Sequence, residues 1–265
     1  MIFLLSIILY LVIGVFAGLA GALLGIGGGV ITVPALLFVF SLMNFPEASV
    51  MHIAIATSLS AMVLNTLSST YFHHVKRSVQ WKYFLRLVPG IVIGSIAGAL
   101  IAGSLPSHLL KVFFGFFACL IGFVFVKPIK ATIEKHKLPS FPMFILIGTI
   151  IACLADLLGI GGGLFIVPIL LYYQLTEKKA IGTAVASSCL ISFLGALSYL
   201  FFLEKNIEIP GCFGSIYLPA FLAISVSGIV SSFYGVKLAH ALSPKTLRKT
   251  FSAVMVAIGL LMIFT

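Results

Sequence analysis

A chain of 265 residues in which 61% are hydrophobic and 8% charged, with a mean hydropathy of +1.25, lies far from the roughly 25% charge of soluble domains; lipid is its solvent. At about 20 apolar residues per crossing, the length admits roughly eight to ten membrane segments and leaves no stretch for a separate soluble domain of about 50 residues or more. The net charge of +10, from 16 Lys and Arg against 6 acids, sits in connections between apolar runs as positive-inside topology requires, so no nucleic-acid partner is expected.

In chain order the apolar segments fall at 2–24, 30–43, 50–72, 83–104 and 108–126, then at 141–158, 164–174, 181–203, 215–236 and 247–264. The first has no basic region before it and no small-residue cleavage pattern, so it reads as a retained membrane helix rather than a signal peptide. Most segments are long enough for a core of about 30 Å, but 30–43 and 164–174 are short for a full span. Cys119, Cys153, Cys189 and Cys212 form no CxxC pair, so neither a metal site nor a thiol relay is expected, and no cofactor is implied.

The segments repeat. LLGIGGGVITVPALL at 23–37 returns as LLGIGGGLFIVPILL at 157–171, with 11 of 15 positions identical. The stretch from Ala54 aligns with that from Ala184, and Leu105-Pro106 with Leu109, Lys111 and Phe113 echoes Ser243-Pro244 with Leu247, Lys249 and Phe251. The chain therefore reads as one integral membrane domain made of two repeats, 1–130 and 131–265, with five segments each.

Loop charge gives an orientation. The basic connections 73–82 and 127–137 are assigned to the cytoplasm, with a turn outside at 104–107 between them. The acidic 204–211 goes outside, and 237–249, with Lys237, Lys245, Arg248 and Lys249, goes inside. The loop after the third segment thus changes sides between copies, which makes the repeats inverted and puts both termini outside. The expected fold is an all-α polytopic membrane protein with either ten spans or eight full spans plus two re-entrant glycine hairpins.

Inverted repeats mark secondary transporters, whose sites lie at the midplane where broken helices of the two halves meet. Here Gly25, Gly27, Gly28 and Gly29, and again Gly159, Gly161, Gly162 and Gly163, interrupt apolar stretches. Glycine allows left-handed backbone and close approach to a ligand, and irregular backbone at membrane depth is tolerated inside protein or against a water-filled cavity. A helix is expected to start after each run, with Pro34 and Pro168 in its first turn or so, where a missing N–H costs least. Two such N-termini would cradle one small anion without Lys or Arg; close helix packing by small residues is the alternative use of these glycines.

Hydroxyls and an amide on the third segment of each copy form a second candidate layer: Thr57, Ser58, Ser60, Asn65 and Thr66, matched by Ser187, Ser188 and Ser192. Thr57-Ser58 and Ser187-Ser188 are equivalent, and of the layer Thr57, Ser58, Asn65, Ser187 and Ser188 are the chosen binding candidates, either as donors to an oxyanion or bonded back to their own helices. Asp156, the sole aspartate, stands three residues before Gly159, where the first copy has Ala22. An intramembrane carboxylate is a functional candidate by default, here for proton coupling, although its place near the predicted outer end leaves a wetted anchor role open. His52, His73 and His74 read as interfacial, and Lys111 and Lys249 as snorkelling.

The doubled GIGGG segments followed by Val-Pro, with Ala56-Thr57-Ser58 and Ala186-Ser187-Ser188 on the next segments, resemble the sulfite exporter TauE/SafE family of bacterial membrane transporters. The resemblance spans essentially the whole chain. It implies transport of sulfite, thiosulfate or organosulfonate anions through the cytoplasmic (inner) membrane, with coupling to an ion gradient, H+ being the expected ion. Partners are then a small anion and membrane lipid. Enzyme chemistry is not expected, because HExxH and GxSxG are absent and one aspartate cannot form an Asp dyad. A passive anion channel, a carrier of a non-sulfur organic anion and a non-transporting assembly protein remain the alternatives.

Overall fold

The computed structural model describes residues 2–126, 139–203, 209–241, 252–253 and 255–262. The connection 127–137, the charged part of 204–211 and the stretch 242–251, including Lys245, Arg248 and Lys249, lie outside the described residues.

Nine helices and one hairpin are described: α1 (Ile2–Leu24), α2 (Gly29–Leu42), α3 (Val50–Val75), α4 (Trp81–Ser104), α5 (Ser107–Val126), α6 (Phe141–Leu158), α7 (Gly163–Tyr172), α8 (Glu177–Phe202), β1 (Cys212–Phe213), β2 (Ile216–Tyr217) and α9 (Leu218–Ala241). Residues 255–262 are again helical. The chain is thus an all-α polytopic membrane protein, with six described helices long and apolar enough to cross a bilayer. The two helices expected to be short are 14 and 10 residues. Leu4, Phe16, Ile93, Phe116, Phe123 and Val226 face outward, as lipid requires.

The helix pairs are drawn together by small residues. A Cβ on Gly14 or Gly18 of α1 would meet Ile224 Cα or Gly228 Cα of α9, at 2.8 Å in both cases. A Cβ on Gly98 of α4 would lie 3.0 Å from Cys153 Cα of α6, and Gly90 and Gly94 meet Ile145 and Thr149 in the same way. Both pairs run side by side in one direction. In membranes, where lipid removes the hydrophobic drive between helices, such close backbone approach is what holds them together. Each pair joins a helix from the first half of the sequence to one from the second. The third contact of this kind, between α3 and α8, is antiparallel. Cys189 Sγ approaches Val63 O at 3.9 Å near the middle of both helices, and Thr183 Oγ1 accepts the Gln80 N–H at 2.9 Å near one end.

Segment ends shift where tertiary contact rewards extension. The 73–82 connection shrinks because α3 continues through His73, which is buried and whose Nε2 lies 3.2 Å from Ala22 O. His74 Nδ1 accepts the Trp81 indole N–H at 3.2 Å, so neither histidine sits in a loop. His52 does lie at a helix end, with ring nitrogens 3.2 Å from Ser107 Oγ and 3.1 Å from Ala102 O. The hairpin of β1 and β2, with Phe213 opposite Ile216, is absent from the apolar pattern because two-residue strands carry no period. Its Tyr217 packs edge-on against Tyr10, Phe40 and Phe45 at centroid distances of 6.2, 5.6 and 5.2 Å.

Candidate functional site

The two glycine turns have nearly the same backbone. Gly25, Gly27 and Gly28 have φ of 76, 80 and 89°, and Gly159, Gly161 and Gly162 have φ of 68, 72 and 75°. Only glycine takes three such left-handed positions within four residues without strain. Gly28 and Gly162 are the N-caps of α2 and α7, and neither has a side-chain cap. The first closed helical bonds are from the Ile31 and Thr32 N–H groups to Gly28 O and from Phe165 and Ile166 to Gly162 O. The N–H groups before them precede any intrahelical acceptor, and of these the Gly163 N–H donates to Gly161 O within the turn at 3.0 Å.

Pro34 and Pro168 are the sixth residues of α2 and α7, not in the first turn. The helices begin right after the glycines, so each proline removes a bond to the carbonyl four residues back, at Val30 or Leu164.

The turns, far apart in sequence, press on one another in the core. A Cβ on Gly29 would overlap Gly159 O, and one on Gly163 would overlap Gly25 O. Gly25 meets Val167 and Ile181, while Gly159 meets Val33 and Ile55. Both Gly27 and Gly161 abut the ε-methyl of Met62, which is 1% exposed, and a Cβ on either would lie 3.7 or 3.5 Å from Ser188 Cβ. On Gly161 it would also lie 3.2 Å from Ser192 Oγ. Two helix N-termini, from α2 and α7, therefore converge where α3 crosses α8.

The hydroxyl layer divides at this crossing. Ser58 is at the turns, donating to Gly159 O at 3.1 Å and approaching Met62 Sδ at 3.8 Å. Ser188 and Ser192, both 0% exposed, reach the same place, and neither Oγ has a hydrogen-bond partner among the described residues. Thr57 is turned away, accepting the Tyr217 N–H at 3.0 Å. Ser187 donates to Thr183 O at 3.0 Å and Ser60 to Ala56 O at 2.8 Å, each within its own helix; Thr66 bonds back in the same way to Met62 O. Asn65 packs against Gly228 of α9 and has no partner for Oδ1 among the described residues.

Asp156 is not at the turns. It is fully buried, which removes the wetted-anchor alternative, and its carboxyl fills the notch left by Gly195 on α8. Ser95 on α4 is the hydroxyl beside it, yet neither carboxyl oxygen nor Ser95 Oγ meets hydrogen-bond geometry with a described residue. The backbone carbonyl of Asp156 accepts the Tyr199 hydroxyl at 3.1 Å.

No described residues group three His, Cys, Asp or Glu as a metal site would need, and the four cysteines are free. The cleft between α2 and α5, bounded by Val30, Phe114, Ile121 and Leu158, is lined by apolar residues throughout and offers an anion nothing. Met62 is the contact that sequence pattern left out. Its signal was the repeat alignment itself, in which a methionine faces Ser192 across the two copies.

The sulfite exporter TauE/SafE family model matches residues 10–262. The chain belongs to the sulfite exporter TauE/SafE family. It is 31% identical to a probable membrane transporter protein of Methanocaldococcus jannaschii, over 98% of this chain and 97% of that one. A probable membrane transporter protein of Haemophilus influenzae is 30% identical, over 96% and 97%, and one of Bacillus subtilis 29%, over 94% and 93%. No solved structure matches. The family and the names of these relatives support a membrane transporter.

Proposed function

We propose that this TauE/SafE protein is a secondary active transporter of small sulfur-containing anions of the sulfite, thiosulfate or organosulfonate class. It works by alternating access in the cytoplasmic membrane, holding the anion between the two glycine turns. The observation that carries this reading is the convergence of the α2 and α7 N-termini in the core, through turns of matching left-handed backbone. Helix N-termini present N–H groups and a positive dipole end to an anion, and low-dielectric surroundings strengthen that attraction.

The repeats 1–130 and 131–265 are the two inverted halves of this machine. The reciprocal contacts, Gly29 on Gly159 and Gly163 on Gly25, support a two-fold relation. The start of α8, with Lys178 and Lys179, lies by the basic connection at Lys76–Gln80. Under the positive-inside rule both belong to the cytoplasmic end, with the termini outside.

Asp156 is assigned the coupling proton. A charge buried without a partner costs several kcal/mol, so proton gain and loss must accompany a change in the packing of α4, α6 and α8 around it.

The test is thermal stability of the purified protein in detergent with sulfite, thiosulfate, sulfate, sulfoacetate, taurine, acetate and chloride. A ligand at about 100 times its dissociation constant adds about 2.7 kcal/mol. A rise confined to sulfur oxyanions is expected, followed in proteoliposomes by uphill flux under a proton gradient that Asp156→Asn abolishes. Flux that only runs downhill would make the protein a channel, and no rise with any anion would overturn the anion site.

A further inference from the structure

The point where the two turns meet is already filled. Met62, from the middle of α3, lays its ε-methyl against both Gly27 and Gly161, and its sulfur lies 2.6 Å from where a Cβ on Gly29 would stand. Its sulfur also faces Ser58 Oγ at 3.8 Å, a weak acceptor in the place where an anion would be a strong one. The aligned position of the second copy is Ser192, whose Oγ faces Gly161, and one turn before it Ser188 Oγ lies 2.6 Å from a Cβ on Gly163. Both hydroxyls are fully buried and have no hydrogen-bond partner among the described residues. Buried hydroxyls are rarely left so, and two aimed at one spot beside two helix N-termini call for an acceptor.

We propose that Met62 occupies the anion's seat in this conformation as a movable plug, and that Ser188 Oγ and Ser192 Oγ are the side-chain donors that hold an oxyanion when Met62 withdraws. Methionine suits this part, since its unbranched, three-torsion side chain repacks readily and its thioether tolerates polar neighbours. The seat has two jobs divided between the halves. The second repeat supplies hydroxyls that fix oxyanion oxygens, and the first supplies a plug whose length sets how large an anion fits. The ligand class is a compact anion with at least two acceptor oxygens. This inference rests on the anion-transport reading above.

The experiment measures sulfite and sulfoacetate half-saturation, by ligand-induced thermal shift, for the wild-type chain and for Ser188→Ala, Ser192→Ala, Met62→Leu and Met62→Ala. Each serine variant is expected to weaken sulfite by about 10-fold or more, the loss of one hydrogen bond to a charged group, while the ligand-free melting temperature stays near that of the wild type. Met62→Ala is expected to move preference toward the larger sulfoacetate by about 10-fold, and Met62→Leu, which conserves volume, to keep the wild-type order. If Met62→Ala does not fold, the two serine variants and Met62→Leu decide. Wild-type sulfite binding that both serine variants retain overturns the seat and leaves the transport reading standing. A wild-type chain that responds to no anion overturns both.

Discussion

The two copies differ in the side chains they bring to the glycine turns far more than in the turns themselves. Their left-handed glycines agree in φ to within 14°, and each presses a glycine on the other's carbonyl. Among the side chains that the first copy contributes, Ser58 donates to Gly159 O of the second turn, Met62 lies against both turns and Thr57 accepts the Tyr217 N–H of the hairpin. Among those of the second copy, Ser188 and Ser192 have no hydrogen-bond partner among the described residues, and Asp156 stands where the first copy has Ala22. Backbone geometry is shared because both turns must solve the same problem of two helices breaking inside a membrane. Side chains are free to diverge.

That comparison breaks first at the turn-to-turn contacts. Gly29→Ala and Gly163→Ala each drive a Cβ into the other turn's backbone carbonyl, which cannot yield as a flexible side chain would. Each is expected to cost about 3 kcal/mol or more, read as a fall in melting temperature or loss of folded protein in detergent. Equal losses would support a two-fold relation, and a large loss at one position alone would break it.

Equivalent hydroxyls sharpen the contrast. Thr57→Ala leaves the buried Tyr217 N–H without its acceptor and is expected to cost about 1–3 kcal/mol, whereas Ser187→Ala removes a bond within its own helix and should cost less than about 1 kcal/mol. Unfolding of the two variants under identical detergent conditions measures the difference directly; equal values would mean that the hairpin is not anchored by Thr57. Smaller still is Tyr199→Phe, which deletes the donor to the Asp156 carbonyl. A loss of about 1 kcal/mol is expected, and a larger one would show that the hydroxyl also serves the carboxyl.

Much of this molecule is legible in its sequence. The bounds of α1 and α6 coincide with their apolar runs, and the shortness of α2 and α7 follows from where glycine interrupts those runs. Legibility fell wherever a partner distant in sequence decided the outcome. His73 and His74 become helical through contacts with Ala22 and Trp81, and Asp156 is buried by Gly195 on another helix. The hydroxyl layer was visible as a group, but its division into back-bonded, anchoring and unpartnered members was not. A serine's spacing says which helix face it occupies and nothing about which acceptor lies across from it.

Sequence by itself determined the solvent, the helices, the repeat and the two places where helices must break, because hydropathy, period and glycine content act locally along the chain. Only tertiary structure decided that the breaks touch, that Met62 lies between them, and that Ser188 and Ser192 are left without acceptors among the described residues. Those facts depend on how α3 crosses α8 and how α1 and α4 pack on α9 and α6, contacts set by small residues meeting across more than 50 positions of sequence.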